Sequence, residues 1–310
     1  MSPAGAVDVL IVGGGAREHA IAWAVSRSVR LGRLFVAPGN DATPGERVDI
    51  AADDVAALTA FATEHAIDLV IVGPEVALAA GLADSLSAAA ITVFGPTKAA
   101  AQLEWDKAFT REVAAELGLP SPAFASFESG EQLEQALTWW RTLGRRIVVK
   151  QVGLASGKGV AVPLDDESCE AAIRSFFHSG GVVLEERLSG PECSLLAFCD
   201  GITARPLPFA QDHKRLGEGD TGPNTGGMGA FAPAPVPYAA EALTATFIQP
   251  VVDYMRLHDK PFVGVLYAGL MLTADGPKLL EFNCRFGDPE AQVLLPLIET
   301  DLIDIILACS

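Results

Sequence analysis

The chain has 310 residues, half of them apolar and 20 % charged, an ordinary globular composition long enough for two or three domains with cores of their own. Its formal net charge of -17 argues against a generic nucleic-acid or anionic-membrane surface. A polyanionic ligand would need the few cations of such a chain gathered in one place.

At the N-terminus no basic region precedes the first apolar run, which argues against a signal peptide. Residues 1–100 then alternate between two patterns. VDVLIVG, RLFVAPG, DLVIVGPE and ITVFGP are short β-branched runs that each end in glycine or Gly-Pro. Helical stretches such as 53–65 and 76–90 lie between them. This alternation predicts βαβ units and a parallel sheet covered on both faces. Ligands bind such sheets beyond the carboxyl ends of the strands, so the turns GGGAREH (13–19), PGN (38–40) and GPE (73–75) are expected to meet at one small ligand. GGGAREH is not a full G-x-G-x-x-G, because Glu18 stands where the third glycine would be. Its amides suit a single phosphate, or else the stretch is a tight strand-to-helix turn with no ligand.

A helix is expected over 101–118, carrying Lys107 and ended by Gly118. The Pro-rich 119–123 marks a boundary. Next come the strand RIVVK (146–150), the loop QVGLASGKG and the strand VAVPL, then a helix over 166–178 and the strands VVLEERL and CSLLAFC. Asp200-Gly201 signals a hairpin into ITARPLPF. Residues 210–229 are glycine-rich, poor in apolar residues and read as a long functional loop. A helix over 239–258 precedes a hairpin turning at Asp275-Gly276. The longest apolar stretch, near 262–273, is too short to span a bilayer.

The hairpin delivers KLLEFNCRFGDPE (278–290). Read as a strand, it sets Leu280, Phe282, Cys284 and Phe286 on a core face and Glu281, Asn283 and Arg285 on the other. Two hard oxygen ligands followed by a guanidinium suit a magnesium-bound polyphosphate; the alternative is an edge strand with a solvated polar face. Asp288-Pro289 reads as an N-cap and first helical position. Lys107, Lys150 and Lys158 are the cations available to a nucleotide. Lys150 closes an apolar strand, where a charge normally has a partner or a ligand. Lys158 sits in GLASGKG, whose spacing is not that of a Walker A motif; its amides fold over phosphates or it is a plain surface loop. VVLEERL, with Glu192 beyond it, offers backbone groups to an adenine edge and a carboxylate to a ribose, or is a solvated charge pair. The five cysteines show no C-x-x-C pairing and no metal-ligand spacing, which fits a reduced, cytoplasmic setting. The five histidines are scattered, so neither a Ser-His-Asp triad nor a metal-histidine site is expected.

QDHKR (211–215), GPNTGGMGAF (222–231), YAGLM (267–271) and EFNCRFGDPE (281–290) closely resemble the glycinamide ribonucleotide synthetase family, as do GGGAREHA, VAPGN, IVGPE, FGPTKAAAQLE and KAFT. The resemblance runs in order from residue 7 to about 309. It implies α/β and α+β architecture: a parallel-sheet N-terminal domain (1–100), then an ATP-grasp domain (101–310) with a lid subdomain near 120–190. It implies a ligase that makes an acyl phosphate from a carboxylate and ATP and lets an amine displace the phosphate. The expected ligands are ATP, Mg²⁺ or Mn²⁺, an amino acid and phosphoribosylamine.

By the same resemblance, Lys107, Lys150, Gly157, Glu185 and Leu188 hold ATP, with Glu192 on the ribose and GLASGKG as lid. Glu281 and Asn283 hold the metal. Arg285 serves the phosphoryl group, with Lys158, Asp212 and Lys214 as further catalytic residues. Gly14, Gly15, Arg17, Glu18, His19, Asn40, Gly73, Pro74, Glu75, Arg215, Asn224, Thr225, Gly226, Gly227, Met228, Gly229 and Asp288 surround the substrates.

Three departures stand out. Lys-Ala-Asp-Gly is usual where this chain has Lys150-Gln151-Val152-Gly153, and Ser-Lys is usual where Asp106-Lys107 stands. The family also carries a further C-terminal domain, whereas this sequence stops at Ser310. That leaves a fragment, a shortened paralogue with other substrates, or a nucleotide-binding homologue without catalysis. The apolar side of 300–309 (Leu302, Ile305, Ile306) calls for a partner, and a homodimer is expected over the face that the absent C-terminal domain would leave open.

Overall fold

The computed structural model describes residues 5–152, 159–178, 180–219 and 221–310. The side chain of Asn224 lies outside the described residues, as do Gly157 and Lys158.

The first hundred residues form a five-stranded parallel sheet of order β3-β2-β1-β4-β5. Its strands are β1 (Val7–Gly13), β2 (Leu31–Pro38), β3 (Glu46–Arg47), β4 (Leu69–Val72) and β5 (Thr92–Phe94). β1 and β4 are almost wholly buried, as β-branched strands covered on both faces should be. The helices are α1 (Ala16–Ser26), α2 (Val55–Glu64), α3 (Glu75–Ala80) and α4 (Leu82–Ala88). The single helix expected over 76–90 is broken at Gly81, whose φ of 90° is left-handed and ends α3.

Next come α5 (Gln102–Trp105), α6 (Lys107–Glu116), β6 (Phe124–Phe127), α7 (Leu133–Leu143), β7 (Ile147–Gln151), β8 (Val160–Ala161), α8 (Asp166–Phe177) and β9 (Val182–Glu186). The helix expected over 101–118 is likewise two, because Asp106 leaves helical geometry to cap α6, accepting from the amides of Ala108 and Phe109 at 3.1 Å. β6, β9, β7 and β8 make a four-stranded antiparallel sheet in that order, backed by α7 and α8 over a core of Leu137, Trp140, Val149, Ile173 and Leu184.

The chain continues through β10 (Glu192–Asp200), β11 (Ala204–Pro206), β12 (Gln211–Asp212), β13 (Arg215–Gly217), β14 (Thr221–Asn224), β15 (Ala230–Phe231), α9 (Ala240–Leu243), α10 (Gln249–Leu257), β16 (Val263–Thr273), β17 (Gly276–Asn283), α11 (Glu290–Leu294) and α12 (Leu302–Cys309). β11-β10-β16-β17 is the order of another sheet. The expected long loop at 210–229 is instead pinned by two ribbons, β12 with β15 and β13 with β14. The helix expected over 239–258 is interrupted by a π-helical segment at Thr244–Ile248, just ahead of Pro250, which has no amide to donate.

The chain forms two compact units. One comprises residues 1–101, 193–268 and 283–310; the other comprises 102–192 and 269–282. The first is held by a core in which Val9, Ile11 and Ile71 join Leu196, Phe198, Tyr267, Phe286 and Ile303. Residue 101 ends the first stretch of one unit, to which the chain returns at residues 193–268 and 283–310. Leu302, Ile303 and Ile306 are buried in that core, and Arg30 and Ser28 bond Asp304 and Asp301 at the start of α12. The apolar side of this helix finds its partner within its own unit, with Ile305 partly buried against the same core.

Candidate active site

In the first unit the chain leaves β1 for β2 on one side and later returns to β4 on the other, so β1 is the switch point of the sheet. The three turns expected to meet do so. The Gly39 amide donates to the Gly13 carbonyl at 3.2 Å, the Asn40 amide side chain to the Gly14 carbonyl at 3.1 Å, and the Gly73 amide to the Val12 carbonyl at 3.0 Å. Beside them lies a pocket of about 490 Å³ lined by Gly14, Gly15, His19, Trp23, Asn40, Gln292 and Pro296, among others.

Glu18 explains why the third glycine of a dinucleotide fingerprint is missing. It is 2 % exposed; its carboxylate accepts the Gly15 amide at 2.7 Å and Arg17 Nε at 2.5 Å. The turn supplies its own anion, so the Gly15 amide is not open to a phosphate. The same side chain dictates the glycines around it. A Cβ on Gly73 would stand 2.2 Å from Glu18 Oε1, and one on Gly13, at φ 123°, would stand 2.5 Å from Glu18 Cγ. Gly13, Gly73 and Glu18 are therefore one packed construction.

Glu75, at the start of α3, sits between two arginines. Its Oε2 is 3.4 Å from Arg285 Nε and 4.0 Å from Arg17 Nη2, and Arg17 also donates to the Phe286 carbonyl at 3.3 Å. Burial pushes the Glu75 carboxyl up, but Arg285, its own backbone amide and Arg17 outweigh burial and hold it below the usual carboxylate range. Asp288 reaches Gly15: a Cβ there would be 3.7 Å from its Oδ2. Gly227, at φ 121°, packs against Pro289 and Asp212, with 2.6 Å and 3.2 Å to a built Cβ. Its neighbours are ordered by Thr225, which bonds the Lys214 carbonyl through both amide and hydroxyl.

Three expectations near β17 are corrected. The strand ends at Asn283, and Arg285 sits on a bend beyond it. Leu279 rather than Leu280 is fully buried, while Glu281 and Asn283, on the last strand of its sheet, and Arg285 beyond it are half-buried. Asp288 is not the N-cap of α11: Pro289 is, Glu290 is the first helical residue, and Asp288 accepts from Gln292 at 2.6 Å.

In the second unit a charge cluster joins α6, β7 and β9. Glu185 is 3 % exposed and holds both Arg111, at 2.7 and 2.9 Å, and Lys150, at 2.9 Å. Burial raises the Glu185 carboxyl, but Lys150 and Arg111 prevail and the net shift is downward. Lys150 also donates to the Leu280 carbonyl at 3.0 Å. The Lys107 ammonium is pushed down, first by burial and then by Lys150, against an upward pull led by Glu281. Lys107, Lys150, Glu185 and Glu281 thus share one electrostatic neighbourhood, though the Glu185 carboxylate is spent on protein cations. Leu188 and Glu192 are half-buried. The Arg215 guanidinium turns back onto the Gly222 carbonyl of its own ribbon at 2.7 Å, and Met228 is exposed. Gly157 and Lys158 lie outside the described residues.

Residues 105–291 match the ATP-grasp (A) domain of phosphoribosylglycinamide synthetase, and residues 7–104 match its N domain. The chain belongs to the phosphoribosylglycinamide synthetase family. Phosphoribosylamine–glycine ligase of Brucella melitensis is 49 % identical over 97 % of this chain and 72 % of its own length; that of Agrobacterium fabrum is 47 % identical over 98 % and 74 %. The crystal structure of the Thermotoga maritima phosphoribosylamine–glycine ligase superposes with a TM-score of 0.82 at 30 % identity, covering 98 % of this chain and 75 % of that one. A Bacillus anthracis D-alanine–D-alanine ligase complexed with ATP shares the fold at a TM-score of 0.67 and 16 % identity, covering 98 % of this chain and 97 % of that one. The fold is therefore that of the ATP-grasp ligases. Within this phosphoribosylglycinamide synthetase scaffold, the sequence reading missed Arg111, Trp23 and the buried trio Glu290, Ser194 and Tyr267. Arg111 and Trp23 lie four residues after Lys107 and His19 on their helices, a spacing that marks a shared face; Glu290 carries no such sign.

Proposed function

We propose that the chain is an ADP-forming carboxylate–amine ligase that joins glycine to 5-phosphoribosylamine through an acyl phosphate, using ATP and Mg²⁺ or Mn²⁺. The observation that carries this reading is identity of 49 % across 97 % of the chain to a phosphoribosylamine–glycine ligase. ATP supplies the phosphoryl group that converts the glycine carboxylate into an acyl phosphate; the amine then displaces phosphate. Such chemistry needs no enzymic nucleophile, only neutralised charge, aligned reactants and exclusion of water.

The side chains suit these roles. Among the described residues no group of three or more His, Cys, Asp or Glu could hold a metal alone. Glu281 and Asn283 would therefore give two oxygen ligands, and Mg²⁺ habitually completes its shell from phosphate and water. Lys107 and Lys150 would meet phosphates, Leu188 and Glu192 the nucleoside, and Glu185 would act through Lys150. Arg285, fixed by Glu75, would meet the transferring phosphoryl group. Arg17, His19, Asn40, Asp212, Lys214 and the 224–229 turn would enclose the amine and the amino acid, with Lys158 in the lid.

The test is ADP release with Mg²⁺ and each substrate omitted in turn. Release that requires both glycine and phosphoribosylamine is expected; release indifferent to glycine removes the assignment. Val152, standing where the family has a carboxylate, favours a second reading, a paralogue taking another acid. Turnover with a different amino acid well above that with glycine would select it.

A further inference from the structure

Arg111 is 1 % exposed on α6, and all three of its nitrogens are engaged. Nε and Nη2 grip the two oxygens of Glu185, Nη1 donates to the Leu279 carbonyl at 3.2 Å, and Nη2 also donates to the Leu280 carbonyl. Lys150 shares both the Glu185 carboxylate and the Leu280 carbonyl. Two cations thus stand on one carboxylate, and the trio keeps one net positive charge. With Lys150 alone on Glu185 the pair would be neutral. The two carbonyls that Arg111 holds belong to consecutive residues of β17, immediately before Glu281.

We infer that Arg111 is a positioning residue for nucleotide binding: it occupies Glu185 so that Lys150 keeps its charge for a polyphosphate, and it clamps the strand that carries Glu281. The inference rests on the ligase reading in that the anion is a nucleoside polyphosphate. Only a planar fork reaches four acceptors on two elements at once; a lysine concentrates its three donors at one point.

Calorimetric titration with MgADP tests it on the whole chain, with folding checked by thermal melting. Arg111→Met is expected to weaken ADP binding about tenfold, the order for one unit of charge removed from a buried cluster. Arg111→Lys should recover part of that loss. Arg111→Met with Glu185→Gln restores one net positive charge and should recover most of it, which a purely structural role would not allow. If Arg111→Met does not fold, Arg111→Lys decides: ADP binding weakened about threefold or more supports the inference, because a point cation cannot serve Glu185 and both carbonyls at once, and a smaller loss overturns it. Absence of ADP binding to the parent chain overturns the ligase reading as well; a folded Arg111→Met within twofold of the parent, or a folded double variant no better than the single one, overturns this inference alone.

Discussion

At the scale of single residues, alternation made it readable that Glu281 and Asn283 share the face opposite buried Phe282, whereas the bend that takes Arg285 off the strand left no such mark. Arg111 was readable only as a neighbour of Lys107 on one helix face; its burial on a carboxylate was not, because Glu185 lies 74 residues away. Glu18 shows the converse: its place in a glycine-rich turn looked like a ligand contact, and the carboxylate turned out to brace that turn. Arg285 differs from Arg111 in being only half-buried and tied to Glu75 at 3.4 Å. Arg285→Lys keeps the charge and loses the fork that a phosphoryl group requires. Turnover is expected to fall about 100-fold, the scale of removing one donor to developing charge, while ADP affinity stays within threefold. Steady-state kinetics beside ADP titration checks this, and equal losses in both would reduce Arg285 to a nucleotide contact.

Among elements, the parallel strands were legible from β-branched runs ending in glycine, while the breaks inside helices were harder. Gly81, Asp106 and Pro250 each interrupt a continuous apolar pattern for a separate local reason: a left-handed residue, a cap and a missing amide. β6 was missed because its four residues pair only with β9, far along the chain. α7 was missed as well, although Leu133, Ala136, Leu137 and Trp140 stand at helical spacing. The start of α11 depends on a group no pattern reveals. Glu290, 2 % exposed, accepts from Ser194 Oγ and Tyr267 Oη, both at 2.8 Å, tying α11 to β10 and β16 within one unit. Tyr267→Phe removes a donor from a buried carboxylate and should cost about 1.5–3 kcal/mol of unfolding free energy in urea titration. A cost under about 0.5 kcal/mol, the level of an inert surface change, would mean that this bond does not anchor the helix.

Over the whole molecule, sequence order suggested a division near residue 101, yet the chain returns twice to the first unit, and only long-range packing reveals that. Each unit carries a carboxylate held below its ordinary range by cations: Glu75 by Arg285 and Arg17 in the first, Glu185 by Lys150 and Arg111 in the second, in both cases against burial. In the unfolded chain these groups titrate near 4.5. Between that value and their lower folded values the unfolded state binds more protons, so stability rises with pH there. Their contribution is complete above about pH 4.5 and is lost as pH falls through the folded values. One such group adds at most about 1.4 kcal/mol per pH unit to the slope. Urea unfolding of the parent at pH 6.0, 4.5 and 3.5 should therefore show a steeper acid loss than that of Glu185→Gln, whose amide cannot titrate, with the gap between the two closing as pH falls. Parallel acid limbs would mean that Glu185 titrates alike folded and unfolded, and that its two cations do no more than offset the cost of its burial.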